Sequence, residues 1–222
     1  EISECLVGSE MCIRDSFKGS VTRNFDYYTV SSRFCVKVFE SAFRLEEGKA
    51  LATGISRTDE LLSDDFAAAC KAEFYQKYPQ YKGKKLLLYA PTFRGNAGNA
   101  VSAGEDAVKR LEQKLGREWA VLIKMHPRLN SPLTNCDIPV NRLFPVIDIL
   151  ISDYSSLIFE YSLFRKPMVL WTPDLDEYIS VRDFYIDFKT EIPCLKVTEE
   201  SRLYDLSLIH ISEPTRHSLI SY

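Results

Sequence analysis

The chain is poor in histidine and methionine, with three of each in 222 residues. It has no apolar run near the ~18 residues of a membrane span, so any membrane association would be peripheral or carried by other sequence. Its six cysteines form no CxxC pair, which argues against a zinc site and fits isolated thiols in a reducing cytoplasm. With 28 basic and 31 acidic residues the net charge is −3, so electrostatics gives no reason to expect a nucleic-acid partner. Carboxylates paired for magnesium are missing too. The acidic run Asp174, Asp176, Glu177 reads as a solvated loop, and neither a metal nor a cofactor is expected. There is no internal repeat and no low-complexity tract.

Both ends read as foreign. Residues 206–216 (LSLIHISEPTR) are the translation of a sequencing-library oligonucleotide, and residues 6–16 (LVGSEMCIRDS) translate its complementary strand. Residues 1–16 and 206–222 are therefore expected to be adapter sequence. His210, His217, Cys5 and Cys12 leave the chemical inventory with them, and His126 remains as the one histidine credited to the protein.

The stretch between them has an ordinary globular composition, 45% hydrophobic and 27% charged in the chain as a whole, with enough length for one domain and part of another. Short apolar runs alternate with longer mixed segments, the pattern of β-α-β units. Residues 85–90, 119–124, 148–152 and 168–171 read as buried strands, and 105–115 and 155–165 as helices, with Gly116 a C-cap. Residues 95–104 read as a loop. Near-continuous apolar strands imply a parallel sheet covered on both faces. Upstream, residues 27–30 and 34–43 suggest a strand and an amphipathic helix. The expected division is 17–60 as the remnant of an N-terminal Rossmann-like domain and 61–205 as a C-terminal nucleotide-binding domain, the chain crossing between them near 61–84.

Parallel sheets bind ligands beyond the carboxyl ends of their strands, and the polar residues cluster there: Thr92 and Arg94, Lys124 and His126, Asp153 with Ser155 and Ser156. At the last cluster a strand runs into a helix start, whose open N–H groups suit an anion. The serine hydroxyls suit a phosphate or diphosphate. Glu160, one turn beyond Ser156 on the same face, can accept hydrogen bonds from ribose hydroxyls. Taken alone, the helix favours a blander reading of Ser155 as a cap and Glu160 as a solvated charge. His126, Lys124 and Arg94 at the same rim shift the balance towards a diphosphate site, since charge-assisted donors hold such a ligand best. Enough converging donors can stabilise a departing nucleoside phosphate without a metal.

With those residues in hand the chain resembles the CDP-glycerol:poly(glycerophosphate) glycerophosphotransferases of teichoic acid and capsule synthesis. The matching pieces are APTFR (90–94), KMHP (124–127), DILISDYSSLIFEYSLFRKPMVLWTPDLDEY (148–178) and RDFYIDF (182–188), with TGISRTDEL (53–61) a looser match. The resemblance implies an α/β, GT-B-like architecture of two Rossmann-type domains, the CDP-alcohol held mainly by the C-terminal one. It implies Ser155 and Ser156 on the diphosphate and Glu160 on the ribose. His126, Lys124, Thr92 and Arg57 would line the same pocket. The reaction implied is attack of a polymer-end hydroxyl on the β-phosphate of CDP-glycerol or CDP-ribitol, expelling CMP at the inner face of the membrane. The family also carries a histidine-glycine motif in its N-terminal domain, thought to supply the general base; no second credited histidine occurs here. Cys194 stands where the family usually has glycine after Ile-Pro. A GT-B glycosyltransferase using a UDP- or GDP-sugar, and a silent nucleotide-binding module, remain open at this point.

Overall fold

The structure is a computed structural model that describes residues 25–92, 94, 105–125, 133–181 and 184–204. Strands β3 (Lys85–Tyr89), β4 (Trp119–Ile123), β5 (Ile149–Ser152), β6 (Met168–Trp171) and β7 (Leu195–Val197) form a five-stranded sheet in the order β4-β3-β5-β6-β7. All its pairings are parallel, with Leu87 in register with both Val121 and Ile149. Apolar residues fill β3, β4 and β5 because neither face meets water. The two-residue side-chain period then divides each strand between two cores. Leu86, Leu88, Leu122 and Leu150 face one core, closed by Phe66, Cys70 and Phe74 of helix α3 (Asp64–Lys77) and by Leu143 of α5 (Val140–Leu143). Leu87, Val121, Ile123 and Ile151 face the other, under Val108 and Leu111 of α4 (Glu105–Lys114).

Upstream, β1 (Tyr28–Val30) and β2 (Ala50–Ala52) pair in parallel around α1 (Arg33–Phe43), with Val30, Cys35, Phe39 and Phe43 as a small separate core. Helix α2 (Arg57–Leu61) follows, and Leu61 already belongs to the large core. The stretch expected to cross between domains is thus mostly α3, packed on the sheet.

Three expectations need correction. The helix foreseen over 155–165 is α6 (Leu157–Ser162), six residues long. Its last turn tightens through bonds from Phe164 to Tyr161 and Arg165 to Ser162, and Arg165 turns left-handed (φ 52°) before Lys166 and Pro167. Gly116 is no left-handed cap: a bond from Trp119 N to its carbonyl closes the turn instead. Asp174 is no solvated loop residue. It immediately precedes α7 (Leu175–Val181) and accepts hydrogen bonds from Arg94 and Tyr154. The loop at 95–104 lies outside the described residues. Among the described residues no helix is long and apolar enough to cross a membrane.

At the end of α3, Lys77 Nζ and Tyr78 Oη both donate to Asp137, at 2.5 and 2.6 Å. Those bonds, Lys77's first, hold the Asp137 carboxyl down at about 2. Burial and the Asp137 bond push the Tyr78 phenol up to about 12. A lowered acid contributes stability above its unfolded value that is lost as pH falls; a raised phenol contributes stability below pH ~10 that is lost as pH rises. The stability difference between the unsubstituted chain and Tyr78→Phe should therefore be bell-shaped in pH, shrinking below about 4 and above about 10. Urea midpoints across that range measure it, and a flat difference would refute the coupling.

Candidate functional site

Three strand ends deliver polar residues to one rim. Asp153 follows β5, where the sheet's burial continues, and is 2% exposed. A carboxylate so placed needs donors, and β3's exit supplies them. Thr92 N and Oγ1 bond its Oδ1 at 2.8 and 2.7 Å, and Arg94 Nη1 bonds its Oδ2 at 2.8 Å. Arg94 turns its remaining edge to Asp174, with Nε–Oδ2 at 2.6 Å and Nη2–Oδ1 at 3.2 Å. Its guanidinium lies 4.8 and 5.0 Å from the ring centres of Tyr154 and Tyr178, which stack on each other. Tyr154 Oη closes the cluster on Asp174 at 3.0 Å.

The two carboxyls shift in opposite directions. Burial pushes Asp153 up, and the Arg94 charge and the Thr92 bonds only moderate that rise. Asp174 is less buried; burial pushes it up as well, but the Arg94 bonds, the Arg94 charge and the Tyr154 hydroxyl outweigh burial and lower it. The direction for Asp153 needs its counter-ion to be understood, because without Arg94 only threonine donors would oppose desolvation.

Beside this cluster lies a cavity of about 450 Å³. One wall is α6, presenting Ser156, Phe159, Glu160 and Leu163; the other comes from Ser31, Ser32, Cys35 and Thr58 upstream. Ser156 already has helical backbone angles (φ −64°, ψ −15°) and makes no side-chain cap bond. Capping needs an extended backbone, so this hydroxyl is not spent on the helix. Ser32, at the start of α1, likewise makes no cap bond. Two helix starts therefore open on one cavity. Ser155 is closer to the bland reading, since its Oγ accepts a long bond from Leu157 N at 3.4 Å. Glu160, 12% exposed in its side chain, pairs through Oε1 with Nη2 of Arg57.

Of the residues picked from sequence, Ser156 and Glu160 line this cavity, and Arg57 pairs with Glu160. Thr92, Arg94 and Asp153 meet one another. Arg94 was expected to face a diphosphate, but its nitrogens are held by two carboxylates and the Thr92 carbonyl, because a guanidinium beside a buried carboxylate supplies the charge-assisted donors it needs. Lys124 Nζ donates to the Cys136 carbonyl at 3.0 Å. His126 lies outside the described residues. Among the described residues no group of three His, Cys, Asp or Glu side chains is placed to hold a metal ion. Sequence reasoning missed Asp174, Ser31 and Ser32. The serines carried a signal, since a strand, two serines and a helix start occur at 28–33 as they do at 149–157.

The profile of the CDP-glycerol:poly(glycerophosphate) glycerophosphotransferase family matches residues 13–218. The chain belongs to that family. The match covers parts of both terminal stretches read above as adapter. The teichoic acid ribitol-phosphate primase of Bacillus spizizenii is 37% identical over 186 residues, 78% of this chain and 48% of that protein. The ribitol-phosphate polymerase TarK of Staphylococcus aureus is 38% identical over 186 residues, 77% of this chain and 36% of its own. A structure of the wall teichoic acid polymerase TagF superposes with a TM-score of 0.68 at 25% identity, covering 87% of this chain and 50% of that one. Another, determined with CDPG, gives 0.67 at 26% identity, over 86% and 51%. The α/β architecture is accordingly GT-B-like, and the chain spans between 36 and 51% of these relatives.

Proposed function

We propose that the chain carries the donor site of a polyol-phosphate transferase, which moves ribitol or glycerol phosphate from a CDP-alcohol to a hydroxyl of a growing teichoic acid and releases CMP. The observation that carries this reading is the uncommitted Ser156 hydroxyl, facing a cavity that also holds Glu160. A diphosphate at the helix start would meet Ser155 and Ser156, and its ribose would reach Glu160 one turn further on. Family membership and the TagF structure determined with CDPG support a cytidine nucleotide over a UDP- or GDP-sugar. Ribitol is the favoured polyol, because relatives named for ribitol phosphate are 36 to 38% identical and those named for glycerol phosphate 26 to 29%. In this reading residues 61–205 form the nucleotide-binding domain, 17–60 belong to the acceptor-side domain, and the two ends are translated adapter. The protein would work at the inner face of the membrane.

Calorimetry with CDP-ribitol, CDP-glycerol and a UDP-sugar tests the reading. CDP-ribitol should bind most tightly and the UDP-sugar weakest; the reverse order would move the chain to the glycosyltransferases. Replacing Ser155 and Ser156 together by alanine should weaken CDP-alcohol binding by roughly 1–3 kcal/mol, the scale of hydrogen bonds to a charged group. Unchanged affinity with an intact fold would return both serines to the role of helix start.

A further inference from the structure

We infer that Arg57 is a positioning residue: it orients the Glu160 carboxylate to accept a ribose hydroxyl and does not itself bind the diphosphate. The inference rests on the cytidine-nucleotide reading of the cavity and assigns a role within it.

Arg57 opens α2, just beyond the turn that Gly54 makes at φ +82°. Its partner sits 103 residues away on α6. The Arg57 side chain is 46% exposed, and an ion pair with so exposed a member contributes little to stability. Placement is the more informative property of this pair. Among the described residues that line the cavity, the others are apolar side chains, hydroxyls and the Cys35 thiol, and Glu160 is the carboxylate. An ionised carboxylate only accepts hydrogen bonds, so in an apolar cavity it is complete only with donors. The guanidinium takes Oε1 and leaves Oε2 as an acceptor. The rigid, planar guanidinium fixes the direction of that single bond, which a flexible ammonium does less well. Ribose hydroxyls supply donors where Oε2 needs them. Because α2 lies upstream and α6 follows β5, the acceptor is in place only while the upstream segment is docked on α6. The competing possibility is that Arg57 leaves Glu160 and turns to the phosphates.

Calorimetry on the full chain with CDP and 2′,3′-dideoxy-CDP separates the two. The unsubstituted chain should prefer CDP by about tenfold or more, the scale of hydrogen bonds to a charged group. Glu160→Gln should remove most of that preference. Arg57→Ala should collapse it likewise, leaving affinity for the dideoxy nucleotide within about twofold, and Arg57→Lys should restore only part. Equal weakening of both nucleotides by Arg57→Ala, with the preference intact, would make Arg57 a phosphate ligand and overturn the inference. Equal binding of both by the unsubstituted chain would remove Glu160 from the ribose and overturn it also, while leaving the nucleotide reading standing. Failure to bind either would overturn both.

Discussion

Replacing Arg94 by methionine should destabilise the chain by about 3–5 kcal/mol, the scale on which breaking a buried ion pair leaves an uncompensated charge. The substitution keeps an apolar side chain near Tyr154 and Tyr178 but strands Asp153, which is 2% exposed. Thr92 would remain as its donor at 2.7 and 2.8 Å, too little for a full charge. A domain with ~5–15 kcal/mol in hand would become marginal. The loss also has a pH signature. Burial already raises the Asp153 carboxyl, and without the guanidinium it would rise further. An acid raised in the folded state binds protons there at a pH where the unfolded chain has released them, so stability falls as pH increases. Arg94→Met should therefore be worst at neutral pH and recover partly towards pH ~4. Arg94→Lys should fall between, because an ammonium cannot bridge two carboxylates in one plane. Urea denaturation from pH 4 to 8 reads these effects. Near-native stability of Arg94→Met with lost nucleotide affinity would return Arg94 to the diphosphate.

That expectation marks where sequence stops being informative. The strands were legible because parallel strands buried on both faces must be continuously apolar, and KLLLY, WAVLI and ILIS have no other plausible use. The rim was legible because each run ends in a polar cluster. Which members of the clusters face each other is a three-dimensional fact. Arg94 reaches Asp153 across 59 residues and Asp174 across 80, and no local pattern encodes either pairing. A cationic residue at a phosphate-binding rim reads the same whether it faces ligand or carboxylate. The length of α6 was misjudged for a local reason: its apolar spacing continues past Ser162, but Arg165 must reverse the chain before Pro167, which excludes another helical turn.

The largest effect expected concerns turnover. With CDP-ribitol and a polyol-phosphate primer, this chain should bind the donor yet release CMP at a rate on the order of 10⁵-fold or more below that of a full-length relative. The residues proposed to hold the donor, Ser155, Ser156 and Glu160, follow one strand of one sheet, so in that reading binding needs little beyond the segments described. Attack by the polymer hydroxyl needs the acceptor held in line and its proton removed. The chain spans 48% of the ribitol-phosphate primase it resembles; in the proposed reading only residues 17–60 belong to the acceptor-side domain, where the family resemblance implies the histidine-glycine base. Holding acceptor and donor in reactive geometry supplies roughly 7–11 kcal/mol of a barrier, so its loss dominates any single side-chain change here. Calorimetry for binding and a CMP-release assay on the same preparation separate the two steps. Binding with no release fits this division of labour. Sustained release would place the base within this chain, with His126 the first residue to substitute, because it is the one histidine credited to the protein and histidine suits general-base work near neutral pH.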